Sequence, residues 1–135
     1  MNIKIVSTGI VLLISLALAG QAMAKRKAPP KLSPVGFGAS VFTPSADKCG
    51  IVVKTDRATG KVIREIRFYR VSYRPKLERD VQDVWFTDFF RVGDDIWARD
   101  EKGRIYKMLL KTLKPSRNRH TTPEDFAKLK KSAAS

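Results

Sequence analysis

Few side chains in this sequence are suited to nucleophilic or acid–base catalysis. The 135 residues include one histidine, His120, and one cysteine, Cys49. A catalytic histidine needs a group that orients it and a nucleophile within reach, and the basic segment around His120 offers neither arrangement. One cysteine also excludes a disulfide framework and a zinc site built on cysteine ligands. We therefore predict that the protein is not an enzyme, with no catalytic residue, no metal site and no cofactor.

The acidic residues are concentrated in one part of the chain. Eight of the thirteen lie between residues 78 and 101, together with three arginines. Asp94 and Asp95 occupy a predicted turn and carry the oxygen ligands that a calcium ion prefers. The spacing of the acids does not match an EF-hand loop, however, and aspartate is common in ordinary β-turns. We interpret this segment as an acidic band of turn residues.

The basic residues, which give the chain a formal charge of +14, offer a different chemistry between residues 64 and 74. Arginine binds phosphate through its bidentate guanidinium, and tyrosine rings stack on nucleic-acid bases. The same charges would also keep an outer or edge strand soluble, and the sequence leaves both interpretations open. The predicted polyanion-binding or partner-binding residues are Arg64, Arg67, Arg70, Arg74, Tyr69 and Tyr73.

Further aromatic residues and the single cysteine are candidates for contacts between proteins. Trp85, Phe89 and Trp97 belong to residue types that are common at interfaces, with burial in the core as the alternative. Cys49 stands between Lys48 and Gly50 at the entrance to a predicted strand. A buried free thiol and an intermolecular disulfide are its two interpretations.

The first 24 residues have the pattern of a bacterial secretory signal peptide. Lys4 supplies a positive charge, residues 10–19 are apolar except for Ser15, and Ala22 and Ala24 occupy the −3 and −1 positions of a cleavage site. The apolar run is short for a membrane span. We predict export, with cleavage after Ala24, to the periplasm or the cell exterior. Residues 25–40, with four basic residues, three prolines and two glycines, are predicted to form a flexible, disordered basic arm.

Residues 41–113 are predicted to form an antiparallel β domain. β-Branched residues at 51–55 and an apolar run at 61–73 flank a five-residue loop, which predicts a hairpin. A bulge near Phe68 and Tyr69 would reconcile the apolar faces of its second strand. Tight glycine-containing turns at 93–95 and 100–103 then predict a meander, in which residues 84–92 form a central strand covered on both faces. Residues 76–83 are compatible with either a short helix or a strand.

The last segment, residues 114–135, is predicted to be a basic linker followed by a short helix from Pro123 to about Lys131. Thr122 is a suitable N-cap, Pro123 fits the first helical position, and lysines lie near the C-terminal end. Phe126 and Leu129 give this helix an apolar face with which to contact the sheet. The expected fold is therefore mainly β (α+β): a small antiparallel sheet of about five strands, with a short C-terminal helix.

Together these features suggest three kinds of function. The first hypothesis is a non-enzymatic binding or adapter protein of the cell envelope. It would recognise a protein partner or an anionic component such as lipopolysaccharide, acidic lipid or a wall polymer. The second is an exported nucleic-acid-binding protein that assists DNA transfer. A small secreted toxin or hydrolase is disfavoured by the missing catalytic residues, and the sequence leaves the oligomeric state open.

Overall fold

The computed structural model describes residues 29–134 of the chain. The predicted signal peptide and residues 25–28 of the predicted arm lie outside the described residues. Within the described part, none of the helices is long and apolar enough to cross a membrane. The fold is mainly β, as the sequence predicts, but it contains two antiparallel sheets of four strands each instead of about five strands in total.

The first sheet is formed by consecutive strands in the order β1-β2-β3-β4. They are β1 (Val35–Phe37), β2 (Ser40–Pro44), β3 (Ile51–Asp56) and β4 (Val62–Arg67). Strands β3 and β4 form the predicted hairpin. Strand β1 lies inside the segment predicted to be a flexible arm, because the turn after Phe37 allows it to pair with β2.

The second sheet follows the same up-and-down connectivity, in the order β5-β6-β7-β8. Its strands are β5 (Phe86–Val92), β6 (Asp95–Asp100), β7 (Ile105–Leu109) and β8 (Pro115–Asn118). The predicted meander is β5 to β7. Strand β8 comes from the predicted linker, and β5 is an edge strand of its sheet instead of a central one.

Two helices complete the described fold. The short helix α1 (Arg79–Gln82) lies in the segment between the sheets, where the sequence allows a helix or a strand. The C-terminal helix α2 (Pro123–Ala134) begins where the sequence predicts and extends three residues beyond Lys131. The Thr122 hydroxyl accepts a hydrogen bond from the Asp125 backbone N–H at 3.2 Å, which is the interaction expected of an N-cap.

The two sheets share one hydrophobic core. Val52, Ile66 and Phe42 of the first sheet belong to the same buried cluster as Ile96 and Met108 of the second. On its opposite face, the second sheet contacts helix α2. The fully buried Phe126 packs there with Trp97 and Ile105, while Leu129 contacts the same cluster, so the predicted apolar face of this helix is confirmed.

The predicted bulge at Phe68 and Tyr69 is wrong, because β4 ends at Arg67 and the chain then turns inward. The irregularity in this hairpin is at Lys54 and Thr55 of β3. Phe68 and Tyr69 are both buried, since the backbone after β4 is no longer restricted to the alternation of a strand. Gly50 allows the backbone of Tyr69 to come close to its own. A Cβ at this position would lie 2.3 Å from the Tyr69 carbonyl oxygen, and the φ of Gly50, 74°, is one that other residues rarely adopt.

Candidate anion-binding site

The predicted arginines lie on an edge strand and on the loop that follows it. Arg64 and Arg67 belong to β4, in which Ile66 is the single buried residue. Arg70 and Arg74 follow in the loop that leads to helix α1. All four side chains are exposed. Arg67 and Arg70 line one cleft and Arg70 and Arg74 line its neighbour, whereas Arg64 lines neither of them.

Arg67 and Arg70 line a cleft of about 680 Å³ between the first sheet and the following loop. Lys48 and Arg79 add two more positive charges, while three aspartates also contribute to the walls. The lining residues with chemical function are Asp47, Lys48, Cys49, Arg67, Arg70, Tyr73, Arg79, Asp80 and Asp83. We call this cavity the first cleft.

The arginines of this region have no carboxylate partner among the described residues. Within residues 29–134, no ion pair involves Arg64, Arg67, Arg70 or Arg74. The neighbouring Lys48, in contrast, lies 3.1 Å from the Glu65 carboxylate. Exposed arginines without a partner keep all their guanidinium donors available to an anion in solution.

Hydrogen bonds hold the loop between the two sheets in place. The Tyr73 hydroxyl donates to Asp83 Oδ1 at 2.6 Å, and the Gln82 amide bonds the backbone of Arg74 through both of its polar atoms. The Arg79 guanidinium lies 4.4 Å from the centre of the Tyr73 ring. The hydrogen bond to Asp83, together with burial, raises the pKa of Tyr73 to about 12. Tyr73 therefore positions the loop and its ring face is covered by Arg79.

Tyr69, which the sequence groups with the binding residues, is a core residue instead. Its ring stacks on Tyr106 with centroids 5.1 Å apart, and its hydroxyl donates to the Val84 carbonyl oxygen at 2.5 Å. Burial, reinforced by the negative charge of Asp100, raises the pKa of Tyr69 well above its usual value. The side chain is thus neutral and enclosed.

The predicted interface aromatics separate into core and surface residues. Phe89 and Trp97 are buried, 7% and 8% exposed, and pack on opposite faces of the second sheet. Trp85 is partly exposed and lines a separate apolar cleft of about 550 Å³ with Pro29, Pro30 and Pro44. Of the three, only Trp85 is available to a partner.

Cys49 and His120 line no common cleft among the described residues. Cys49 is partly buried in the first cleft, and burial, with a smaller effect of Asp83, raises the pKa of its thiol. Its thiolate, the reactive form, is therefore disfavoured. His120 is exposed, and its backbone N–H donates to Asn118 Oδ1 at 3.0 Å. No cluster of three metal-binding side chains occurs in the part of the chain that the structure describes.

Two further clefts lie beside the first one and contain cations that the sequence pattern does not group with it. The second cleft, of about 660 Å³, is lined by Arg70, Arg74, Lys102 and Arg104 among others. The third, of about 320 Å³, is lined by Arg104, Arg117 and Arg119. The pairing of β7 with β8 brings these last arginines together. Sequence analysis does not group them, because it does not predict a strand at residues 115–118.

Searches of protein-family models, curated proteins and solved structures give no significant match to this chain.

Proposed function

We propose that the protein is a non-enzymatic binding protein of the bacterial cell envelope, which recognises a phosphate-bearing envelope component through the arginines at the first cleft. The observation that carries this proposal is the exposure of Arg67 and Arg70 beside the cleft without an ion-pair partner among the described residues. The signal-peptide pattern of residues 1–24 supports an envelope location. Phosphate is the expected chemistry because the guanidinium fork matches its oxygens.

The arrangement also supports binding without catalysis. A reaction would require a nucleophile or a proton-transfer group beside the bound anion. The thiol of Cys49 and the hydroxyl of Tyr73 on the cleft wall both have raised pKa values, so that each stays protonated at neutral pH, and the Asp83 carboxylate accepts the Tyr73 hydroxyl. The walls therefore supply charge and hydrogen-bond donors, and the expected outcome is reversible association.

Binding of tripolyphosphate to the purified protein tests this proposal. We expect the variant Arg67→Ala/Arg70→Ala to bind at least about tenfold more weakly, a loss of about 1.4 kcal/mol. The β circular-dichroism signal should be unchanged, because both side chains are exposed. Isothermal titration calorimetry at low salt measures the affinity.

A charge-matched control separates local binding from the effect of total charge. The variant Lys114→Ala/Lys128→Ala removes the same number of charges from exposed positions outside the three clefts. It should retain nearly the affinity of the wild type. Equal losses in both variants would assign the arginines to solubility alone and contradict the proposal.

A further inference from the structure

The three clefts adjoin one another along the surface. The first and second clefts share Arg70, Val71, Tyr73 and Asp83 as lining residues. The second and third share Arg104. Because a residue that lines two cavities lies on the boundary between them, the three clefts form one series of neighbouring cavities. We call it the arginine track; it runs from Arg67 at the end of the first sheet to Arg119 beside strand β8.

Positive charges are distributed along the whole length of this track. Its walls contain nine cations and four carboxylates, counted over residues 29–134. The cations are Lys48, Arg67, Arg70, Arg74, Arg79, Lys102, Arg104, Arg117 and Arg119, and the acids are Asp47, Asp80, Asp83 and Glu101. The cations are spread over three cavities and do not converge on one point, which suits a ligand whose own charges are spread along a line.

Most of the carboxylates in the walls are already engaged by groups of the protein. Asp83 accepts the Tyr73 hydroxyl, and Glu101 accepts the Trp85 backbone N–H at 2.9 Å. Asp80 accepts the Val81 backbone N–H at 3.0 Å. These hydrogen bonds direct carboxylate oxygens toward groups of the protein. The guanidinium groups without an ion-pair partner therefore determine how the track interacts with an anion.

At the far end of the track, like charges are brought together by the sheet itself. Arg117 pairs with Tyr106 in the β7–β8 register, and Arg104 comes immediately before strand β7. Arg104 and Arg117 both line the third cleft, so the sheet brings the two side chains to the same part of the surface.

One of the three arginines at this end already has an acidic partner. Arg104 is neutralised by Asp100 at 2.7 Å, but no described carboxylate pairs with Arg117 or Arg119. Arg117 and Arg119 are therefore the cations at this end that remain available to an anionic ligand.

We infer that the ligand of the arginine track is a linear chain of linked phosphate groups, which contacts Arg67 and Arg70 at one end and Arg117 and Arg119 at the other. This inference rests on the proposed function and specifies its ligand. The aromatic rings near the track are enclosed or covered, Tyr69 by the core and Tyr73 by Arg79. Base stacking therefore contributes little, and the phosphates themselves are recognised.

Affinity as a function of chain length tests the inference. The probes are inorganic phosphate, tripolyphosphate, long-chain polyphosphate and oligodeoxythymidylate with the same number of charges as the long polyphosphate. We expect affinity to rise steeply from tripolyphosphate to the long chain and to fall as salt is added, because counterions are released on binding. The two long probes should bind with similar affinity.

Variants at the far end of the track distinguish a long ligand from a short one. Arg117→Ala/Arg119→Ala should weaken binding of long polyphosphate about tenfold and lower its salt slope by about 2, since each phosphate-binding cation contributes about 1 to the slope. Binding of tripolyphosphate at the first cleft should stay unchanged. The control variant Lys114→Ala/Lys128→Ala should match the wild type with both probes.

The outcomes separate this inference from the proposed function. If wild-type protein binds no phosphate probe, both are overturned. If tripolyphosphate binding depends on Arg67 and Arg70 but the long chain binds no better, the proposed function stands and the linear ligand is overturned. An affinity at least tenfold higher for the oligonucleotide than for polyphosphate would overturn recognition by phosphates alone and would indicate that bases are contacted.

Discussion

The acidic band of the second sheet and the arginines at the end of the first sheet differ in how their charges are satisfied. Asp88 and Asp100 are almost completely buried, 3% and 1% exposed, and each is surrounded by donors from the protein. Arg67 and Arg70 are exposed and have no ion-pair partner among the described residues. The charged side chains of the acidic band thus stabilise the fold, whereas the arginines at the end of the first sheet remain available to a ligand.

The acidic band is neutralised by basic residues that come later in the chain. Asp88 pairs with Lys130 of helix α2, and Asp95 and Asp94 lie near Lys107 and Lys111, at 3.5 and 3.7 Å. Several acids of residues 78–101 are therefore paired with basic residues of the segments that follow. Asp80 and Asp83 of the same segment line the first cleft beside Arg67 and Arg70, but these arginines form no ion pair among the described residues.

The largest effect should follow removal of the most completely bonded acid, Asp100. Its carboxylate accepts two backbone N–H groups, at 2.9 and 3.0 Å, the Arg104 guanidinium and the Tyr106 hydroxyl. Because Asp100→Ala leaves buried donors without partners, we expect a loss of about 3 kcal/mol in the free energy of unfolding. Urea denaturation measures it.

The matched control for Asp100 is Asp94, which stands in the same meander but is half exposed and makes only a long ion pair with Lys111. An exposed pair of this kind is worth no more than about 1 kcal/mol. Asp94→Ala should therefore change stability much less than Asp100→Ala. Equal effects of the two substitutions would contradict the distinction between structural and available charge within this band.

Replacement of Asp88 should have an intermediate effect on the free energy of unfolding, and this effect should depend on pH. Burial opposes its ionisation, but hydrogen bonds from Lys130, Thr87 and Arg99 outweigh burial and lower its pKa. A carboxylate whose pKa is lower in the folded state stabilises the fold above its ordinary pKa, and this contribution is lost as the pH falls through the folded-state pKa. We expect Asp88→Asn to cost about 2 kcal/mol at pH 7.

Denaturation of the wild type and Asp88→Asn between pH 7 and pH 2 tests the sign. The difference in unfolding free energy should be constant above about pH 5 and should shrink in more acidic solution, where Asp88 becomes protonated in the wild type as well. A difference that stays constant down to pH 2 would show that the charge of Asp88 does not stabilise the contact with helix α2.

The parts of the fold that depend on neighbouring residues could be predicted from the sequence. Strands β5 to β7 are linked by tight turns at Gly93 and Gly103, so local turn chemistry defines their pairing. Strand β8 could not be predicted because residues such as Pro115 and Ser116 have little strand propensity, and β1 could not because it has only three residues, one of them glycine. They become strands by pairing with β2 and β7, which is a tertiary effect.

The candidate anion-binding site, too, could be predicted only where it depends on residues that are close together in sequence. Arg67 and Arg70 are close together in sequence and could be predicted to act together, whereas Arg104 and Arg117 lie near them only through the arrangement of the sheets. The role of Tyr69 was misassigned because a strand pattern was continued past Arg67. The chain leaves the sheet at that point, and both Phe68 and Tyr69 then enter the core.

The smallest expected effect on stability concerns the available charges. Because Arg67 and Arg70 contribute no ion pair among the described residues, Arg67→Ala/Arg70→Ala should change the unfolding free energy by no more than about 0.5 kcal/mol. The repulsion among the remaining arginines is screened by salt, so adding salt should stabilise the wild type slightly more than the variant. Urea denaturation at low and high salt measures both differences. A loss comparable to that of Asp100→Ala would show that these arginines, too, are structural, and the contrast between the two regions would disappear.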